Sequence, residues 1–266
     1  MSERVVVKIE DHVANVMLNR AAKRNAIDMD MFSALIETGE SLARDSSVRA
    51  VVLHGDGDHF CAGIDVSVFQ TNALVDDLAK RMEARTDYGA NFFQSSATVW
   101  KDMPVPVIAA LRGITFGGGF QIAMGADIRI SAHDLQMSVM EIKWGLIPDM
   151  GISMTLPGVM PQDKAKLLAY TGRVITAEEA LELCAVTILD DDPLAAAMSL
   201  ARDIAAKSPD AIRAIKTLMN STWISDPAPG LHLEAALQKA VMSGENQVEA
   251  ERANMENRAP NFSNSD

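Results

Sequence analysis

Apolar and polar positions near the N-terminus predict a strand hairpin followed by a helix. Residues 5–9 and 13–18 are rich in Val, Ile, Met and Leu, and the polar run Glu10-Asp11-His12 separates them. Two such runs around a few polar residues are typical of paired strands. Asp28 then precedes a segment to Arg44 whose apolar residues recur at helical spacing, so we predict that Asp28 caps an amphipathic helix.

The middle of the chain repeats the order strand, glycine turn and helix. Strands are predicted over residues 49–54 and 106–111, and each runs into a glycine-containing turn. A short helix is predicted over 120–124, and the last strand over 186–189. Strands that alternate with helices are typical of an α/β fold with a mostly parallel sheet.

Two further helices are predicted between the glycine turns. Residues 76–85 are charged and suit a surface helix. The second helix carries the large side chains Phe92, Phe93 and Trp100 and ends before Pro104.

After residue 193 the pattern predicts helices only. They are expected over residues 194–206, 209–220, 232–242 and 247–257, and the run Pro227-Ala228-Pro229-Gly230 is expected to interrupt them. We therefore predict two domains, a core of residues 1–193 and a helical domain of residues 194–266.

Composition and charge narrow the class of protein. The 266 residues are 48% hydrophobic and carry a net charge of −12, which disfavours binding to nucleic acid or to anionic membranes. Two cysteines make no disulfide framework, and the five histidines lack metal-ligand spacing, so no metal site is predicted. No apolar run approaches the roughly 20 residues of a membrane span, and no signal peptide is recognised, so the cytoplasm is expected.

The glycine triplet Gly117-Gly118-Gly119 is the first candidate site. A helix N-terminus offers unpaired N–H groups and partial positive charge, so glycines there suit an oxyanion or phosphate. A tight turn is the simpler interpretation of the triplet. Two carboxylates follow, Glu141 and Asp149. Alone, Glu141 could be an exposed residue at a helix start, and Asp149 a helix N-cap.

Taken together, these segments resemble the enoyl-CoA hydratase/isomerase family, the crotonase superfamily. The match follows the family's order along almost the whole chain. Its segments are Asn19-Arg20, Asn25-Ala26, Phe60-Cys61-Ala62-Gly63-Ile64-Asp65, the glycine triplet, Ala126-Asp127-Ile128-Arg129, Gly145-Leu146-Ile147-Pro148, Ala205 to Lys216 and Pro260-Asn261-Phe262.

The resemblance implies a fold and a substrate. The fold would be a spiral of β-β-α turns followed by a helical domain that assembles homotrimers or dimers of trimers. The substrate would be an acyl thioester of coenzyme A, which is part of the substrate, so no separate cofactor is expected. Backbone N–H groups of Ile64 and Gly118 would bind the thioester oxygen, and Gly118 would lack a side chain so that the thioester can approach.

The resemblance also assigns the remaining candidate residues. Lys23 and Arg24 would bind the phosphates of coenzyme A, and backbone groups of Ala62 and Asp65 would contact its adenine and pantetheine. The aromatic helix, with Phe92, Phe93 and Trp100, would form a wall of the acyl pocket. Lys23 and Arg24 could equally be solvated loop charges.

The candidate acid–base residues depart from the hydratase pattern. Glu141 stands where the family places a catalytic glutamate, but the second acidic position is Gln121 here. A neutral amide can orient a water or a carboxyl group but cannot act as a base. In the dienoyl-CoA isomerase branch an acid stands at the position of Asp149. Two carboxyl groups of unequal pKa suit proton removal and redelivery.

Several functions remain open from the sequence. Double-bond isomerisation by Glu141 and Asp149 leads, and a hydratase that uses Glu141, with Gln121 placing the water, is the first alternative. Dehalogenase-like chemistry with Asp149 as nucleophile is disfavoured, because no histidine lies between His59 and His133. An acyl-CoA binder without catalysis is the fourth hypothesis, although it would have no need of both carboxylates.

Overall fold

The fold is taken from a computed structural model that carries no ligand. It describes residues 3–65, 68, 80–83, 89–223, 227–242 and 244–265. Of the helix predicted over residues 76–85, only 80–83 are described, and these are helical; the rest lies outside the described residues.

A six-stranded sheet forms the centre of the described part, in the order β1-β2-β3-β4-β6-β9. The first pair is antiparallel and the other neighbours are parallel. A second sheet has the order β5-β7-β8. The strands are β1 (Val5–Glu10), β2 (Val13–Leu18), β3 (Ala50–Gly55), β4 (Val107–Leu111), β5 (Ile114–Phe116), β6 (Ile128–Ser131), β7 (Gln136–Ser138), β8 (Ile175–Thr176) and β9 (Ile188–Leu189).

Several helices begin at a residue whose side chain caps them. Side chains of Asp28, Thr176 and Ser208 each accept a hydrogen bond from an N–H in the first turn of the helix that follows. The helices are α1 (Met29–Arg44), α2 (Phe92–Asp102), α3 (Gly118–Gly125), α4 (Ile152–Thr155), α5 (Gln162–Thr171), α6 (Ala177–Glu182), α7 (Pro193–Ala205), α8 (Pro209–Thr222), α9 (Pro227–Val241) and α10 (Glu245–Glu256).

Both faces of the large sheet are buried. Successive side chains of a strand point to opposite faces, so Val51 and Leu53 join one apolar cluster while Ala50 and Val52 join another. The first cluster includes residues of α1, α2 and α3. In the second, the small residues Ala197, Ala201 and Ala205 of α7 pack against the sheet.

The helical segment after residue 193 therefore begins with a helix that belongs to the core. The domain boundary predicted at 193 stays a prediction; α7, which follows it, packs on the sheet, and Lys216 of α8 is buried against residues of the core. The predicted interruption at residues 227–230 is wrong, because Pro227 starts α9. Proline is tolerated in a first turn, where the N–H groups have no partner within the helix. No helix of the described part has the length and apolar character to cross a membrane.

Candidate active site

Two glycine turns lie against each other at the edge of the small sheet. One contains Cys61 to Ile64 and the other Gly117 to Gly119. The N–H of Phe116 donates to the carbonyl of Cys61 (3.0 Å), and a side chain added at Gly119 would stand 2.5 Å from that carbonyl. Gly63 has φ +91 and lies close to Phe116. Glycine is needed here because backbone meets backbone.

The N–H of Ile64 points away from its neighbouring segment. Ile27 brackets Ile64: its N–H donates to Gly63 (2.8 Å) and its carbonyl accepts from Asp65 (2.9 Å). In such a parallel bridge the bracketed residue directs its own N–H to the opposite side. No acceptor within the described ranges takes that N–H. The free N–H therefore faces the pocket that Ile64 lines.

Gly118 supplies the second N–H group. It is the first residue of α3, whose earliest intrahelical bond is donated by Gln121 to Gly117 (3.0 Å), so the N–H of Gly118 has no helical partner. The reason predicted for glycine at 118, room for the thioester, stays a prediction, and the structure adds a second one. A side chain there would point inward, 2.9 Å from the Met150 sulfur and 3.0 Å from Ile27. A side chain there would therefore require the ends of the Met150 and Ile27 side chains to shift.

A pocket of about 140 Å³ opens beside these N–H groups. We call it the turn pocket. Gly117 and Gly118 line it together with Ala62, Ile64 and Glu141. A side chain at Gly117 would stand 3.4 Å from a carboxylate oxygen of Glu141, so the second glycine turn lies directly against that carboxylate.

Glu141 is held at one oxygen and free at the other. It begins a short 3-10 helix, Glu141–Trp144. Its Oε1 accepts from Nε2 of Gln121 (2.7 Å), while its buried Oε2 has no hydrogen-bond partner in the described part of the chain. Burial raises the pKa of Glu141, and the nearby charge of Asp149 raises it further. A buried, unpartnered carboxylate oxygen beside a pocket suits proton transfer.

Gln121 is fully buried and both ends of its amide are engaged. Its Oε1 accepts from the N–H of Met150 (2.8 Å), which leaves Nε2 to donate to Glu141. Gln121 thus orients the carboxyl group, one of the two roles that the sequence left open. It also ties Glu141 to the residue that follows Asp149.

Asp149 does not cap a helix, contrary to one interpretation of the sequence. The N-cap of α4 is Gly151, with φ 84 and no side-chain capping bond. Burial raises the pKa of the Asp149 carboxyl group. This carboxyl group lines a second pocket of about 140 Å³, which we call the acyl pocket.

The acyl pocket is apolar apart from its two carboxyl groups. It shares Ile64, Glu141 and Leu146 with the turn pocket, so the two cavities adjoin at Glu141. Its other lining residues are Phe32, Val68, Met82, Phe93, Ile147, Asp149 and Met150. Glu141 therefore stands between the two N–H groups and Asp149.

Of the three aromatic residues predicted for the acyl pocket, one lines it and two do not. Phe93 lines it, whereas Phe92 does not and instead packs on Phe32, Phe93 and the guanidinium of Arg81. Trp100 is wholly buried in the core, where its Nε1 donates to the carbonyl of Ser96. Helical spacing explains the correction, because consecutive residues of α2 point in different directions.

The candidates for binding coenzyme A differ in whether their proposed binding groups are already engaged in the fold. Lys23 and Arg24 are exposed. Ala62 lines the turn pocket, but its N–H already donates to Arg24 (2.9 Å). Asp65 is engaged at every group: its N–H by Ile27, its carbonyl by Val68 and its carboxylate by Arg20. The backbone contact predicted for Asp65 is therefore replaced by a structural role.

Sequence reasoning missed residues that shape the site without carrying its chemistry. Ile27 directs the N–H of Ile64, Met150 packs under Gly118, and Leu146 separates the two pockets. Ile27 and Met150 lie beside recognised segments and Leu146 lies within one, but apolar residues carry no chemical signal of their own. Within the described ranges no group of three or more His, Cys, Asp or Glu residues could hold a metal ion.

Comparison with known proteins decides the family. The sequence profile described as enoyl-CoA hydratase/isomerase matches residues 8–265. The chain belongs to this family. It is 33% identical to a human mitochondrial Delta(3,5)-Delta(2,4)-dienoyl-CoA isomerase over 95% of this chain and 79% of that protein. It is 30% identical to the enoyl-CoA hydratase EchA19 of Mycobacterium tuberculosis over 97% and 96%.

Solved structures agree with the fold predicted from the sequence. The crystal structure of an enoyl-CoA hydratase from Bacillus anthracis superposes with a TM-score of 0.89, at 27% identity, over 97% of this chain and 98% of that one. The α/β crotonase fold with C-terminal helices is therefore confirmed. Relatives named as isomerases and as hydratases are both present, so family membership supports an enzyme that acts on acyl-CoA esters.

Because the pKa of Glu141 is raised, removing its charge is expected to stabilise the folded protein at neutral pH. A carboxyl group whose folded pKa exceeds its ordinary value of 4.5 stabilises the fold below that value and loses this contribution as the pH rises through the folded pKa. Glu141→Gln is therefore expected to melt a few degrees above the parent at pH 7. The gain should disappear near pH 4. Thermal melts of both proteins across this range check it, and a lower Tm at pH 7 contradicts it.

Proposed function

We propose that this enzyme moves a double bond in an enoyl- or dienoyl-CoA ester through an enolate. One observation carries the proposal: two carboxyl groups, Glu141 and Asp149, line one apolar pocket that adjoins two free backbone N–H groups. Proton removal from one carbon and return at another needs two such groups along an apolar chain.

The thioester carbonyl would lie in the turn pocket. When a proton leaves the acyl chain, the electron pair of the C–H bond moves toward the carbonyl oxygen, which becomes negative. The N–H groups of Ile64 and Gly118 would stabilise that charge by about 3–4 kcal/mol for each well-placed donor. Because they are fixed in the backbone, they need no rearrangement as the charge forms.

The two carboxyl groups would share the proton transfers. One, as carboxylate, takes the proton from carbon, and the other, protonated, delivers a proton further along the chain, which restores the thioester and shifts the double bond. The free Oε2 of Glu141 suits the first role. Burial raises the pKa of both groups, which brings proton uptake and release closer to neutral pH.

Hydration by Glu141 is the second candidate, and it is favoured by the hydratases among the relatives. It would need Gln121 to place the water, but that side chain is fully buried and already bonds Glu141 and Met150, which leaves one N–H and one lone pair of the amide for a water. A protein that only binds acyl-CoA is the third candidate. The buried free oxygen of Glu141 argues against it. A buried carboxylate oxygen without a partner costs stability, and a protein that only binds acyl-CoA has no need of one.

For coenzyme A itself, we propose that the exposed side chains of Lys23 and Arg24 bind the phosphates. Both stand beside the segment that brackets Ile64, on a chain whose net charge is −12. A separate cofactor and a metal are not part of the proposal. The cytoplasmic location expected from the sequence stays a prediction.

Incubation with a 3,5-dienoyl-CoA ester and a 2-enoyl-CoA ester tests the proposal. Double-bond migration changes the ultraviolet absorbance at constant mass, because the diene becomes conjugated with the thioester. Hydration adds the mass of one water and bleaches the conjugated enoyl ester. Migration without hydration supports the isomerase. Hydration alone supports the second candidate, and no change in either substrate overturns both.

Chain-length preference offers a prediction with a matched control. Phe93 lines the acyl pocket and its neighbour Phe92 does not. Phe93→Ala is expected to raise the ratio of kcat/KM for long over short acyl chains by about tenfold, since one methylene in an apolar pocket is worth about 1–3 kcal/mol. Phe92→Ala should leave that ratio unchanged, although both variants lose packing. Equal ratios in the two variants would show that Phe93 does not limit the length of the bound acyl chain.

We further propose a homotrimer or a dimer of trimers. Large apolar side chains stand exposed on and just after the C-terminal helices, among them Ile215 (52%), Trp223 (69%) and Leu231 (64%). The apolar residues of the helices after residue 193 also predict such a face from the sequence; of these, Leu231 is exposed, while Leu218, Leu237 and Val241 are half-buried. Exposed patches of this kind are typical of protein interfaces. Light scattering should give a mass of three or six chains, and a monomer at micromolar concentration contradicts the proposal.

A further inference from the structure

Four charged side chains form a linked network behind the first glycine turn. Arg4 and Arg20 both contact Asp28, at 2.7 and 3.3 Å, and Arg20 also contacts Asp65 at 2.7 Å. None of these four side chains lines the turn pocket or the acyl pocket, so no substrate contact follows from the network directly.

Arg20 joins the two backbone segments that meet at Ile64. Its Nη1 donates to the carbonyl of Ala26 (2.9 Å) and to the carboxylate of Asp65 (2.7 Å). Ala26 precedes Ile27, and Asp65 follows Ile64. One nitrogen atom therefore clamps the bracketing segment and the turn on either side of the bridge.

These contacts of Arg20 help to hold the direction of the Ile64 N–H. The N–H of Ile64 faces the turn pocket only while Ile27 holds both Gly63 and Asp65. A change in the plane of the peptide between Gly63 and Ile64 turns the N–H away without unfolding the protein. Preorganised donors lose most of their effect when misdirected, because their strength depends on angle as well as distance.

The ion pair is strong enough to matter. The side chains of Arg20 and Asp65 are 16% and 15% exposed, so solvent screens their attraction less than it screens a pair on the surface. The forked guanidinium contacts Ala26, Asp28 and Asp65 together, and a lysine could not reproduce that geometry.

We propose that Arg20, acting through Asp65, is a positioning residue that holds the N–H of Ile64 toward the thioester oxygen. The inference rests on the proposed function only in that it takes the turn pocket as the site of the carbonyl. It does not depend on whether the enzyme isomerises or hydrates. Neither Arg20 nor Asp65 lines the turn pocket or the acyl pocket.

The experiment measures enolate binding rather than turnover. Acetoacetyl-CoA is a β-keto thioester whose enolate absorbs in the ultraviolet, so the enolate fraction of the bound ligand reports the two N–H groups directly. Acetyl-CoA, which stays in the keto form, reports uniform binding. The variant is Asp65→Asn, which keeps the backbone bonds of residue 65 and removes the ion pair. The control is Arg4→Gln, which removes an ion pair of the same network that does not involve Asp65.

Asp65→Asn is expected to lower the enolate-to-keto ratio of bound acetoacetyl-CoA by about tenfold at fixed pH, part of the loss caused by deleting a donor outright. Its affinity for acetyl-CoA should change by less than about twofold. Arg4→Gln should lower the Tm without changing the enolate ratio. If Asp65→Asn does not fold, Arg20→Lys tests the same clamp.

A folded Asp65→Asn with the parental enolate ratio overturns the inference. So does an equal loss in Arg4→Gln, because general loosening would then explain both. A parent protein that binds acetoacetyl-CoA without stabilising its enolate overturns it as well. Failure of the isomerase proposal would show differently, as parental enolate binding with no movement of the double bond.

Discussion

Glu141→Gln is expected to lower turnover by about 10²–10⁴-fold, the usual contribution of a general acid–base group. The substitution keeps the shape of the side chain and an oxygen that can accept from Gln121. It removes the lone pair that would take a proton from carbon. Binding of coenzyme A esters should be largely preserved, because the N–H groups of Ile64 and Gly118 are untouched. Steady-state kinetics with the preferred dienoyl- or enoyl-CoA ester, together with direct binding, measure both effects.

Glu182→Gln is the matched control for this variant. Glu182 is exposed and lines neither pocket. Its replacement by Gln changes the net charge by the same amount as Glu141→Gln. Its kinetics should equal those of the parent. If Glu141→Gln turns over within a factor of two of this control, the carboxyl group takes no part in the rate-limiting chemistry.

Asp149→Asn is expected to lower isomerisation by a similar factor of about 10²–10⁴. Asp149 caps no helix, so the substitution removes the proposed acid–base group without removing a helix cap. Stability at neutral pH should hold or rise, because burial raises the pKa of this carboxyl group and so its charge costs free energy above the folded pKa. Asp203→Asn, an exposed acid on α7, serves as the control.

Gln121→Glu separates isomerase from hydratase when measured beside Asp149→Asn. A glutamate at 121 would bring a carboxyl oxygen to the 2.7 Å contact with Glu141, and two carboxyl groups at that distance share one proton. In a hydratase this variant should gain water addition, while Asp149→Asn should matter little. In an isomerase it should gain none, while Asp149→Asn loses turnover. The hydratase pattern in both variants would defeat the isomerase proposal.

Local features of the fold were predictable because their causes are local. The hairpin of β1 and β2 follows from two apolar strands around a polar turn, and Asp11 and His12 adopt the positive φ that a two-residue turn needs. The caps Asp28 and Thr176 act on N–H groups three residues away. The interruption predicted at residues 227–230 was wrong because proline marks either a break or a helix start, and the sequence does not say which.

The site was predictable in its chemistry and not in its geometry. The sequence by itself determined the family, the two glycine turns and the two carboxylates, because these depend on residue type and order. Only the tertiary structure decided that Gln121 forms hydrogen bonds with Glu141, 20 residues away in the sequence, and with Met150, 29 residues away. It also decided that Phe93 rather than Phe92 or Trp100 lines the pocket, and that a side chain at Gly118 would meet Met150 and Ile27. These outcomes depend on contacts between distant segments, whose directions are fixed by packing and leave no mark in local sequence.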